Sequence, residues 1–301
     1  MFCIKCGTEI PEEAEFCPKC GSAVEKSIIP SEPPNEKINP EVFMHDSDRK
    51  ALKAMKAVPG FGLLVKTIMK LFNEYTLRFD NLSTNIRIDE NQLPEYHKML
   101  VEICEKLGID VPEMYLKLDV NPNAYTMGDT KPFVVLTSGL LEHFPSEVIQ
   151  TVIAHECGHI ACHHVLYHTM GDLIIKHAHL LPLSGINLAL PPLQLAFAYW
   201  MRCSEFSADR AAIFYDGSAD KLINMCIGFS GYGKNISQDI DIETFIKQAE
   251  DYNSMVNDSK FNKLMEFILF KDNDHPLNAV RAYEAREWVN TQAFKDIVSK
   301  Y

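Results

Sequence analysis

The sequence predicts an α+β chain, a mostly helical domain with a small antiparallel sheet preceded by a compact cysteine-bound module. Three observations carry that expectation. Two Cys-x-x-Cys pairs crowd into the first 20 residues, and a proline-rich stretch follows at 25–40. From about residue 41 to 301 apolar residues recur mostly at helical spacing, and only between Pro112 and Thr137 does β-prone patterning interrupt them.

The first 24 residues form the module. Cys3-x-x-Cys6-Gly7 and Cys17-x-x-Cys20-Gly21 stand ten residues apart. Each glycine permits the tight turn that wraps backbone around a thiolate-bound metal, and four thiolates close a tetrahedral structural zinc site. A unit this small lacks a core, so metal binding supplies its folding energy. Glu9, Glu12, Glu13 and Glu15 make its loop acidic, which suits docking to a protein partner better than to nucleic acid. Residues 25–40, with four prolines among charges, read as an extended linker.

The helical region opens with Ala51, Leu52, Met55 and Val58, continues through an amphipathic stretch at 58–72, and resumes with Met99, Leu100, Ile103 and Leu107 before Gly108. Met114–Leu118, Ala124–Met127 and Phe133–Thr137 are the short strands. Pro145-Ser146-Glu147 then opens a helix, with Ser146 as its N-cap and Val148, Ile149, Val152 and Ile153 as its apolar face.

That helix carries His155-Glu156-Cys157-Gly158-His159. Residues four apart share a helical face, so both histidines can turn a ring nitrogen to one zinc, with Glu156 beside it as a base for water. Gly158 inside a helix implies close packing at that point. Cys157 needs no chemical role.

The third ligand must come from elsewhere. His163 lies eight residues from His155, about 12 Å along the axis, too far to share a metal with it. A third histidine in the metzincin manner would need Gly at 162 and His at 165, where the chain has Cys162 and Val165. Downstream, Glu205 and Asp209 lie four apart after a helix through Leu195 to Trp200. Glu205 can ligate the metal, and Asp209 can accept a hydrogen bond from the far nitrogen of a ligand histidine. His163, His164, His168, His177 and His179 receive no role.

These elements resemble the gluzincin metallopeptidases of the HtpX and CAAX-prenyl-protease type, over about residues 95–290. The resemblance implies a zincin fold and a metalloendopeptidase acting on peptide or protein. It also makes the run from Asn123 to Gly128 an edge strand, on which Asn123, Ala124 and Tyr125 would bind an extended substrate. His275, followed by Pro276, would help stabilise the oxyanion, and Arg281 would organise the site. A non-catalytic or latent protein that keeps the peptidase fold as an interaction scaffold is the alternative.

The net charge of -12 and pI near 5.4 argue against a nucleic-acid partner. No secretory signal is evident at the amino terminus, and the five scattered cysteines read as reduced thiols, so a cytoplasmic location is expected. The run from His177 to Met201 has no charged residue and is long enough to span a bilayer. Its histidines, Asn187, Gln194 and three prolines suit a groove-lining segment better, leaving peripheral membrane contact open.

Overall fold

The structure is a computed structural model that describes residues 38–71, 74–176, 190–231, 240–259 and 277–301. The four module cysteines, most of the linker, His275 and residues 177–189 lie outside the described residues. Helices α1 (Asp46–Lys56), α2 (Phe61–Leu71) and α3 (Glu74–Thr84) lead into strand β1 (Ile86–Ile88) and helix α4 (Pro94–Leu107). Strands β2 (Glu113–Lys117), β3 (Ala124–Met127) and β4 (Phe133–Thr137) precede α5 (Ser138–His143), α6 (Ser146–Ala161) and α7 (Val165–Lys176). Then come α8 (Leu190–Asp216), α9 (Asp220–Ser230), α10 (Ile242–Asp258), α11 (Asn278–Val289) and α12 (Gln292–Lys300).

The expected fold class holds, with two corrections. The sheet has order β1-β2-β4-β3 and is mixed, because β2 and β4 run parallel, Tyr115 opposite Val135. β1, three residues long, gave too short a pattern to be read from sequence. Ser146 is the first helical residue and Pro145 the N-cap; the Ser146 hydroxyl donates instead to Glu95. β3 pairs antiparallel with β4 and, among the described residues, leaves its other edge unpaired.

Among the described residues, a small apolar cluster of Tyr115, Phe133 and Val135 lies on the sheet, and two large ones build most of the core. One gathers Leu100, Ile103, Ile149, Ile153, Leu222 and Trp288 from α4, α6, α9 and α11. The other gathers Met55, Leu64, Ile68, Met170 and Phe197 from α1, α2, α7 and the first half of α8. α6 is buried nearly all round, as a central helix must be. α8, 27 residues long and so about 40 Å, runs from one cluster to the other. Its middle buries Ser204, Glu205, Ser207 and Asp209. Buried polar groups need partners: α6 supplies them for Glu205 and Asp209, Asp48 of α1 for Ser207 and His168 of α7 for Ser204.

Among the described residues no helix is long and apolar enough to cross a membrane. Residues 190–201 instead begin α8, with Leu193, Phe197 and Trp200 fully buried. Cys104, Cys157, Cys162, Cys203 and Cys226 are buried free thiols.

Candidate metal centre

α6 and α8 approach closely at Gly158. A Cβ there would lie 2.8 Å from the Ala211 Cβ and 3.0 Å from the Ala208 backbone, so no larger residue fits without moving α8. This contact brings Glu205 under the two histidines. His155 Nε2 and His159 Nε2 are 3.3 Å apart, and each lies 3.2 Å from a Glu205 carboxylate oxygen. A tetrahedral zinc with bonds of roughly 2.0–2.1 Å sets its ligand atoms about 3.3–3.4 Å apart. The donor set therefore fits that ion in chemistry and in spacing. The carboxyl groups support a cation too: Arg281 pairs with Asp209 and lies near Glu205, and Glu156 adds a third carboxyl group that Arg281 does not meet among the described contacts.

Behind His155, Asp209 Oδ1 sits 2.9 Å from His155 Nδ1. Arg281, from α11, donates to both Asp209 oxygens, through Nε at 2.8 Å and Nη2 at 2.5 Å. All three side chains are buried. Burial alone would raise the Asp209 carboxyl, but Arg281 and His155 outweigh it and hold it below its usual value. For Arg281 burial opposes the charge, and Asp209 and Glu205 more than restore it. Burial also works against protonated His155, yet Glu205 and Asp209 push its pKa up to about 10. At His159 burial wins and the pKa falls below the usual value.

Glu156 faces β3, where the Thr126 hydroxyl donates to its Oε2 at 2.7 Å. Two cavities meet along this strand. One, of about 380 Å³, is lined by Tyr125, Met127, Glu156, His159 and His168. The other, of about 260 Å³, is lined by Val152, His155, Met225, Phe229 and Arg281. Asn123, Ala124 and Glu156 border both. The free edge of β3 thus runs past the three-donor cluster with space on either side.

His159, His155, Glu205, Glu156, Asp209 and Arg281 are therefore brought together, with Asn123, Ala124 and Tyr125 along the cleft. Sequence reasoning missed Thr126, whose inward register on β3 was the available signal. It also missed His164, whose Nδ1 lies 3.1 Å from His159 Nδ1, and Asp48, 2.9 Å from His164 Nε2. Neither has a sequence signature.

A protein-family model described as peptidase family M48 matches residues 90–289, a span that takes in the histidine pair, Glu205, Asp209 and Arg281. The chain belongs to peptidase family M48. A zinc-ribbon model matches residues 2–24 of this M48 chain. It is 28% identical over 260 residues to a protein named plastoglobule-localized metallopeptidase 48, chloroplastic, of Arabidopsis thaliana, covering 86% of the chain and 75% of that protein. It is 25% identical to a protease HtpX homolog of Ralstonia pickettii, covering 45% of the chain and 55% of the homolog. With one of Paraburkholderia phytofirmans the identity is 24%, covering 50% and 60%. Against these HtpX homologs the chain spans less than two thirds of their length. No solved structure matches the chain. The family resemblance read from the motifs thus holds, and membership gives the M48 chain the activity class of a metal-dependent protease, with peptide or protein as its substrate class.

Proposed function

We propose that this M48 chain is a zinc-dependent metalloendopeptidase whose catalytic zinc is held by His155, His159 and Glu205. The observation that carries the reading is the triangle of two imidazole nitrogens and one carboxylate, spaced as zinc ligands are, with the Glu156 carboxylate beside it. When bound, zinc lowers the pKa of a coordinated water toward about 7 and polarises a carbonyl. Glu156, anchored by Thr126, takes the proton from the attacking water and returns it to the leaving amine. Asp209 accepts the Nδ1 proton of His155 and so fixes which nitrogen faces the metal. Arg281 holds Asp209 in place. His275 is assigned to the oxyanion.

The substrate is an extended segment of peptide or protein, adding as a strand to the free edge of β3 at Asn123, Ala124 and Tyr125, with side chains entering the two cavities. Cys3, Cys6, Cys17 and Cys20 hold a second, structural zinc in the ribbon, a module whose acidic loop suits docking to a protein partner. The working compartment is the cytoplasm.

The test is cleavage of an unfolded protein by the native chain and by Glu156→Gln, with zinc measured in both. Removing a general base costs about 10²–10⁴-fold in rate, so cleavage should collapse in the variant while both proteins keep two zincs. Undiminished cleavage by Glu156→Gln would contradict the mechanism.

A further inference from the structure

The two histidines of the metal centre have different company on their far nitrogens. His155 meets a carboxylate directly. His159 Nδ1 meets another imidazole, His164 Nδ1, at 3.1 Å, and His164 Nε2 meets Asp48 Oδ2 at 2.9 Å. Asp48 is fully buried. It also accepts the Ser207 hydroxyl at 2.6 Å and the Trp200 indole N–H at 2.9 Å.

With both rings neutral, the protons along this chain have one consistent placement. A carboxylate only accepts, so the proton between Asp48 and His164 sits on His164 Nε2. A neutral His164 then offers a bare Nδ1, and the proton between the two rings belongs to His159 Nδ1. That leaves the lone pair of His159 on Nε2, the nitrogen that faces Glu205 and His155.

Local backbone geometry delivers His164 to this position. α6 ends at Ala161 with Cys162 as C-cap, and His163 takes the left-handed conformation at φ 57°. The amide of His163 bonds the Ile160 carbonyl at 3.1 Å, and that of His164 bonds the His159 carbonyl at 3.0 Å. This is a Schellman motif closed by a residue other than glycine. It turns the chain back so that His164 stands against the ring one helical turn before. α1 supplies the other end. Asp48 lies in its first turn, where the positive end of the helix dipole favours a carboxylate.

We propose that Asp48 and His164 are positioning residues of the metal centre, a relay that fixes the tautomer and ring orientation of His159. The relay rests on the reading of His159 as a zinc ligand. It extends the site to α1, which lies outside the 90–289 segment matched by the family model. The competing arrangement is a second cation among His159, His164 and His168, whose ligand nitrogens also lie near one another. That would require His159 to bind metal through both ring nitrogens with no N–H left. His168 Nε2, moreover, lies 2.7 Å from the Ser204 hydroxyl.

The experiment is chelator competition for zinc on the full chain, paired with the melting temperature of the chelator-stripped protein. Loss of a group behind a metal-ligating histidine weakens metal affinity by about 10–100-fold. His164→Phe is expected across that range and Asp48→Asn at its lower end, in each case for one of the two zincs. His164→Gln, which keeps an acceptor, should stay closer to native than His164→Phe. Met55→Ala controls for loosened packing of α1: it should lower the melting temperature and leave zinc affinity at the native value. Native affinity in Asp48→Asn and His164→Phe would overturn the relay, as would an equal loss in Met55→Ala or a third zinc per chain. Glu205→Ala separates the two claims, because native affinity there would overturn the zinc site itself.

Discussion

The His155 side and the His159 side of the metal centre do the same task with different chemistry. Behind His155 stands an ion pair, Asp209 gripped at both oxygens by Arg281. Behind His159 stands a chain of hydrogen bonds, with Asp48 held by an imidazole, an indole and a hydroxyl. Both carboxyl groups are buried and both are held below their usual pKa. At each, burial is the largest single influence and works the other way. Arg281 answers it on one side; His164, Ser207 and Trp200 answer it on the other. A buried carboxylate can thus be stabilised by one opposite charge or by several well-placed hydrogen bonds, and the two solutions should fail differently.

The largest effect is expected where charge is at stake. Arg281→Met would leave Asp209 buried without its counter-charge, which costs about 3–5 kcal/mol. Urea unfolding of the zinc-loaded protein would register that loss. A near-native midpoint would mean that the ion pair contributes no more than the hydrogen bonds on the His159 side, and the contrast would be lost.

The smallest effect tests the turn that builds the His159 side. A left-handed residue with a Cβ is strained by about 1–2 kcal/mol, and glycine returns part of that through its freer unfolded chain. His163 is exposed, so His163→Gly should stabilise the protein by about 0.5–1 kcal/mol. Zinc affinity should not change, because the hydrogen bonds that place His164 come from backbone amides. A drop in affinity would mean that the His163 side chain itself helps set the relay.

The same contrast explains what could be read from the sequence. His155 and His159, like Glu205 and Asp209, are four residues apart, and helical periodicity alone puts each pair on one face. Asp48 and His164 are 116 positions apart, and their meeting depends on how α1 packs on α8 and on a left-handed residue that sequence does not announce. The fold divides in the same way. Helices with an apolar stripe and three short β-prone strands were legible, whereas the parallel pairing of β2 with β4 and the three-residue β1 are tertiary outcomes. Gly158 was legible as a packing residue but not as the contact that carries Glu205 under the histidines.

The central claim is that His155, His159 and Glu205 form one zinc site distinct from the ribbon. Counting metal by native mass spectrometry on the intact chain and on Glu205→Ala tests it most directly. The account predicts two zincs in the native protein and one in the variant, with peptidase activity lost alongside the missing ion. Two zincs retained in Glu205→Ala, or a single zinc in the native chain, would contradict it.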